Sequence, residues 1–234
     1  MEKVLENRKI WVVGDRSKMD ILDQILINRG ITGEKKDAVL NPDYITGLHD
    51  PFLMLGVDKA VDRILLAIEK REKVGVFGDY DADGIPATTL VDSILKKNGL
   101  ESFTFIPKRS EGYGMNERGI DWFVDQGVTL IITVDLGITA KKQVAYAKSK
   151  GIDVIVTDHH EPIDGMTPDA CAVIDPKQKK CKYPFKELCG TATVHEFRVT
   201  LASILTSQVV VELVHASTPV TFDVPVTVPP PSHE

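Results

Sequence analysis

Residues 74–99 read VGVFGDYDADGIPATTLVDSILKKNG, and this stretch decides the fold. Val74 to Phe77 is a short apolar run, which predicts a buried strand. It ends in the acidic, glycine-flanked turn Gly78-Asp79-Tyr80-Asp81-Ala82-Asp83-Gly84. A helix is then predicted from Ile85 to about Asn98. Pro86 suits its first turn, where a missing N–H costs nothing, and Gly99 suits its stop.

The same alternation continues outward. Strands are predicted at Ser102–Ile106, Thr129–Val134, Asp153–Val156 and Cys171–Ile174. Helices are predicted from an Asn116 cap to Gln126 and from Thr139 to Lys150. Upstream, residues 58–70 place Ala60, Val61, Ile64, Leu65 and Ile68 on one helical face. Strands alternating with helices imply βαβ units. The expected fold is therefore α/β, an open, mainly parallel sheet with helices on both faces. A small helical N-terminal extension precedes it, with a possible strand reduced to Trp11-Val12-Val13, helical spacing from Met19 to Leu26 and a turn at Asn41-Pro42-Asp43. The expected division is 1–57 as lead-in, 58–190 as the α/β domain and 191–234 as an atypical, weakly ordered tail. Residues 191–234 hold no lysine, one arginine (Arg198) and five of the 13 prolines.

The 234 residues, net charge −6 and 26% charged content fit a folded soluble chain rather than a disordered one. No apolar run approaches the roughly 20 residues that span a bilayer. The charged start MEKVLENRKI has no signal-peptide core, so no membrane and a cytoplasmic location are expected. Cys171, Cys181 and Cys189 are odd in number and lack paired spacing, which argues against a disulfide framework or a cysteine zinc site.

Chemistry concentrates at the predicted strand ends, where open parallel sheets bind ligands. The first strand delivers Asp79, Asp81 and Asp83, the third delivers Asp135, and the fourth delivers Asp158, His159 and His160. Carboxylates gathered in one crevice repel each other, and divalent cations remove the conflict. Oxygen-rich ligation suits Mg²⁺ or Mn²⁺, and imidazole tilts the choice toward Mn²⁺. Two such ions could bind a phosphate and activate water, giving metal-assisted phosphoester hydrolysis. Taken singly, each group has a plainer reading: a calcium-type loop, a helix cap at Asp135, a surface histidine pair. The calcium-type loop lacks its closing Glu, because Leu90 stands there. Two readings stay open for Lys108, Arg109, Tyr113 and Asn116: a loop that holds phosphates and stacks a base, or a solvated turn. The basic, aromatic-containing run from Lys177 to Lys186 likewise reads as a nucleic-acid track or as a connector.

GDYDADG, VDLG and TDHHEP, in that order, resemble the motifs of the DHH phosphoesterase superfamily, and most nearly its RecJ-type single-strand-specific exonucleases. IPKRSEGYGMN and AVIDPKQKKCKYPFKELCG resemble segments of the same group, so the likeness covers about residues 8–190. The resemblance implies metal ligation by Asp81, Asp83, Asp135 and His159, with Asp79 as a further ligand or a supporting carboxylate. It implies that His160 contacts the scissile phosphate or protonates the leaving oxygen, and that Asp158 orients the histidines. It implies Mn²⁺ or Mg²⁺ as cofactor and single-stranded DNA as partner, degraded from the 5′ end in recombination and repair.

Two departures stand out. Phe77 occupies a place where many superfamily members carry a metal-binding histidine. No further aspartate motif is recognisable after Gly190; Asp223 is the one late aspartate, in a foreign context. A shifted reading frame or a truncated gene would produce such a break. Two rival functions therefore stay open: a phosphodiesterase for short oligonucleotides or cyclic dinucleotides, and a non-catalytic nucleic-acid or partner-binding fragment.

Overall fold

The computed structural model describes residues 20–43 and 47–197. By contacts the chain divides into Met1–His49 and Asp50–Glu234. In the first unit, α1 (Ile21–Asn28) starts at Asp20, whose carboxylate accepts the Leu22 N–H at 2.8 Å. Helix α2 (Glu34–Leu40) follows and ends at Asn41, within the expected turn. Lys36 pairs with Asp23 at 2.6 Å. Trp11-Val12-Val13 and Met19 lie outside the described residues.

In the second unit, α3 (Val57–Lys70) leads into β1 (Lys73–Gly78), α4 (Gly84–Lys97), β2 (Glu101–Phe105) and α5 (Glu117–Asp125). There follow β3 (Leu130–Val134), α6 (Lys141–Ser149), β4 (Asp153–Thr157) and β5 (Ala172–Ile174). The strands form one parallel sheet in the order β2-β1-β3-β4-β5. The order reverses between β1 and β3, and ligands bind at such switch points.

Side chains of period two fill two cores. On one face Val74, Val76, Leu130, Ile132, Val134, Ile155 and Ile174 pack with α3 and α4. On the other, Phe77, Ile131, Val154 and Val156 pack with α5 and α6. Because β1, β3 and β4 are covered on both faces, they read as continuous apolar runs. Gly75 serves this packing, since a Cβ there would lie 2.7 Å from the Phe123 ring. Each fully buried large aliphatic or aromatic side chain adds about 1.5–3 kcal/mol. The expected Asn116 and Gly99 caps are present: the Asn116 side chain accepts the Gly119 N–H at 2.9 Å and Gly99 closes α4 with φ of 78°; Gly151 closes α6 with the same φ.

Residues 190–197, mostly within the segment expected to be atypical, are helical and bury Val194 and Phe197 in the first core. Residues 198–234, with Arg198, the proline-rich stretch and Asp223, lie outside the described residues. Phe77 is fully buried against Phe105 and Phe123, so the position where a histidine was considered is part of the core.

Candidate metal centre

The strand register sets the site. Gly78 pairs with Val134, Val134 with Thr157, and Thr157 with Ile174. One residue further along each strand stands an aspartate: Asp79, Asp135, Asp158 and Asp175. Neighbouring parallel strands lie about 4.8 Å apart, so the row sets four carboxyl groups along one sheet edge. All four residues are buried.

Asp135, at the switch point, has φ 61°, an unusual conformation for a non-glycine residue. Its amide donates to Thr157 O at 3.0 Å, and its carbonyl accepts the Tyr113 hydroxyl at 3.0 Å. The Asp135 side chain is shared by two donor groups. Asp79, Asp81 and Asp135 each offer an oxygen within 4.8 Å of the others; an Asp135 oxygen and one ring nitrogen each of His159 and His160 lie within the same distance of one another. His159 Nε2 lies 3.1 Å from Asp135 Oδ1 and 3.7 Å from Asp83 Oδ2. The shorter contact lacks hydrogen-bond geometry, so Asp135 Oδ1 is buried without a hydrogen-bond partner, as is Asp79 Oδ1.

The electrostatics follow. Burial, with the Asp83 and Asp81 charges added, pushes the Asp135 carboxyl up to about 8. Burial likewise raises Asp79, and the Asp81 charge adds to it. Two unit charges 4 Å apart at an effective dielectric of about 20 repel by about 4 kcal/mol. A cation bound between them reverses that sign. Orphaned buried carboxylate oxygens beside a shared acidic ligand therefore fit hard divalent ions.

Asp81 and Asp83 are held down instead. The Gly84 amide, then that of Asp83, bonds Asp81 Oδ1 at 2.8 Å each and keeps Asp81 below the usual carboxylate range. Gly84 allows the loop to close, because a Cβ there would lie 2.7 Å from Asp79 Cβ. Asp83 stands outside both donor groups. Its Oδ2 accepts the Gly190 N–H at 2.6 Å, and its Oδ1 accepts the Thr191 N–H at 2.7 Å. The Thr191 hydroxyl donates to Asp83 O at 2.7 Å. Burial opposes ionisation of Asp83, but the Thr191 and Gly190 bonds outweigh it and lower its pKa.

Asp158 acts through its neighbours. Its Oδ2 accepts the Ile138 N–H at 2.8 Å, and its Oδ1 accepts the His159 amide at 2.7 Å and the His160 amide at 3.2 Å. His160 Nδ1 lies 2.7 Å from the same Oδ1. An ionised carboxylate only accepts, so Nδ1 carries the hydrogen and Nε2 is left for other work. This bond, ahead of the opposing effect of burial, raises the His160 pKa.

The loop after β2 brings two of its expected residues to the site. The Tyr113 hydroxyl lies 3.3 Å from His160 Nδ1, and the Arg109 guanidinium sits over the Tyr80 ring at 4.8 Å. Lys108 is exposed, and its amide donates to Glu111 at 3.3 Å. The Asn116 carboxamide oxygen caps α5. Sequence reasoning missed Asp175, Gly190 and Thr191. Asp175 could have been found as the fourth strand-terminal aspartate; Gly190 and Thr191 carried no local signal.

The family model described as "DHH family, N-terminal domain" matches residues 73–223. The single-stranded-DNA-specific exonuclease RecJ of Bacillus subtilis (strain 168) is 42% identical over 171 residues, 73% of this chain and 22% of that protein. The protein of the same name from Haemophilus influenzae is 33% identical over 193 residues, 81% of this chain and 32% of that protein. The chain thus spans between about a fifth and a third of the length of these relatives. The crystal structure of exonuclease RecJ bound to manganese superposes with a TM-score of 0.59 at 29% identity, covering 65% of this chain and 38% of that one. With the sheet order, the aspartate row and a family match over more than half its length, the chain belongs to the DHH family.

Proposed function

We propose that this chain carries the metal-dependent phosphodiester-hydrolysing centre of a single-stranded-DNA exonuclease acting in the cytoplasm. The observation that carries the reading is Asp135, a buried carboxylate common to both donor groups, with an oxygen that lacks a hydrogen-bond partner. A carboxylate shared between Asp79 and Asp81 on one side and His159 on the other would suit a two-ion site. The likeness to manganese-bound RecJ supports the choice of Mn²⁺ or Mg²⁺.

Asp79, Asp81, Asp135 and His159 would hold the ions, and Asp83 joins them through lone pairs its amide partners leave free. The ions, when bound, supply polarisation of the phosphoryl oxygen and a lowered pKa for the attacking water. Asp158 fixes the His160 tautomer and stabilises its charged form. One Nε2 cannot both ligate an ion and carry a proton. The Asp158 bond favours the proton, so His160 serves the scissile phosphate and its leaving oxygen. Arg109, Lys108 and Tyr113 supply positive charge and an aromatic face for the strand, while Asn116 holds α5 beneath that loop.

The test is Mn²⁺-dependent nucleotide release from 5′-labelled single-stranded DNA by the chain and by Asp135→Asn. Release by the wild type, abolished by chelation and by the substitution, is expected. Equal release by both proteins would overturn the assignment.

A further inference from the structure

Beside His160 lies a cavity of about 330 Å³ that the hydrolytic chemistry does not use. Tyr113, Met115, Ile138, Gln143, Asp158 and His160 are among its walls. We propose that it is a subsite for one nucleobase, that of the nucleotide whose phosphate meets His160. The inference rests on the hydrolase reading above and adds to it what the site grips besides phosphate.

Apart from His160, which the phosphate takes, nothing in the lining draws an anion. None of the lining residues is a lysine or arginine. Asp158 is 1% exposed, and its oxygens already accept from Ile138, His159 and His160, so it turns little charge toward a ligand. What remains suits a neutral planar heterocycle. Met115 and Ile138 are buried apolar walls. Tyr113 is 55% exposed, yet its hydroxyl is held by Asp135 O at 3.0 Å, so the ring is offered at a fixed position. Gln143 brings an amide, which can donate to and accept from a base edge. The volume falls at the low end of small-molecule pockets, roughly 300–1,000 Å³, enough for one base rather than a stacked run. Tyr113 and His160 border the cavity and also meet each other at the metal centre, with ring centroids 5.8 Å apart. A base here and its phosphate at His160 therefore belong to one nucleotide.

The experiment is calorimetric titration of the full chain in Mg²⁺ with thymidine 5′-monophosphate and, separately, 2-deoxyribose 5-phosphate. The nucleotide is expected to bind about tenfold more tightly, the usual scale of a stacked base. Gln143→Trp, which fills the cavity, brings the nucleotide down to the sugar phosphate and leaves the sugar phosphate unchanged. Gln143→Leu loses about fivefold for the nucleotide alone. Unchanged melting temperatures show that the variants fold. As a second readout, 5-iodo-2′-deoxyuridine 5′-monophosphate crosslinks on irradiation to Tyr113 or Met115. Equal affinities for the two ligands, wild-type nucleotide affinity in a folded Gln143→Trp, or crosslinks confined to other residues would overturn the base subsite and leave the hydrolase reading intact. Failure of both ligands to bind would overturn the two together.

Discussion

Gly190 donates its backbone N–H to Asp83 Oδ2 at 2.6 Å across 107 residues of sequence. The same residue presses on the metal centre from its other side, since a Cβ at Gly190 would lie 2.5 Å from Asp135 Oδ1. One glycine therefore sets the separation of two acidic groups delivered by different strands.

Gly190→Ala is expected to displace the Asp135 carboxylate and weaken Mn²⁺ binding by tenfold or more, measured by calorimetry. Thr191→Val removes the hydroxyl bond to Asp83 O and weakens binding less, by about 10-fold at most. Thr191→Ser keeps the hydroxyl and should bind as the wild type does. Wild-type affinity in Gly190→Ala would show that the close approach is not needed.

Asp158→Asn tests the histidine tautomer. An amide has one acceptor oxygen, so it cannot serve both the Ile138 amide on one side and the Nδ1 hydrogen on the other, and it removes the charge that stabilises the imidazolium. Loss of such a supporting group costs roughly 10–100-fold in activity or metal affinity. The rate should drop while the fold persists, and the basic limb of the pH–rate profile should move down as His160 loses the contact that raises its pKa. An unchanged profile would rule out this coupling.

Removing divalent ions should expose the strain of Asp135. Its folded carboxyl is raised from 3.8 to about 8, so between these values the folded chain holds a proton the unfolded chain has released. Stability without metal therefore falls as pH rises from about 4 through 8. In EDTA the melting temperature at pH 9 should lie below that at pH 6, and saturating Mn²⁺ should shrink the difference. Asp135→Asn should flatten the slope in EDTA and lose most of the Mn²⁺ stabilisation. Identical slopes with and without Mn²⁺ would count against a metal at this carboxylate.

Asp175 shifts in the same direction. Burial, which the Lys177 amide only partly offsets, raises it to about 7, and its Oδ2 is buried without a hydrogen-bond partner. Stability is therefore lost as pH rises from 3.8 through about 7. Asp175→Asn keeps an oxygen for the Lys177 amide, which bonds Oδ1 at 2.7 Å, and removes the charge. At pH 8 it should stabilise the chain by about 1–3 kcal/mol, read from denaturant unfolding, with the gain vanishing below pH about 4. A loss of stability at pH 8 would mean that the Asp175 charge has a partner, which a bound ion would supply.

Much of this was legible one segment at a time. The apolar run at Val74–Phe77, the Asn116 cap and the Gly99 and Gly151 stops are local, and neighbouring residues within a few positions dictate them. Each acidic strand end could be seen alone, as could its order in the chain. Asp175 was visible as a strand terminus but was not joined to the others, because a sequence does not print the register between β4 and β5.

By itself, the sequence determined the alternation of strands and helices, the acidic residues at the ends of β1, β3 and β4 and the likeness to the DHH motifs. Short-range periodicity and turn chemistry suffice for those, since they act between residues a few positions apart. Only the tertiary structure decided that Asp135 is shared between two donor groups and that Gly190 and Thr191, rather than an ion alone, hold Asp83. It also decided that Phe77 packs against Phe105 and Phe123 and that a cavity opens beside His160. Such relations depend on which strand lies next to which and on how close two backbones pass, and these are set by packing over the whole sheet.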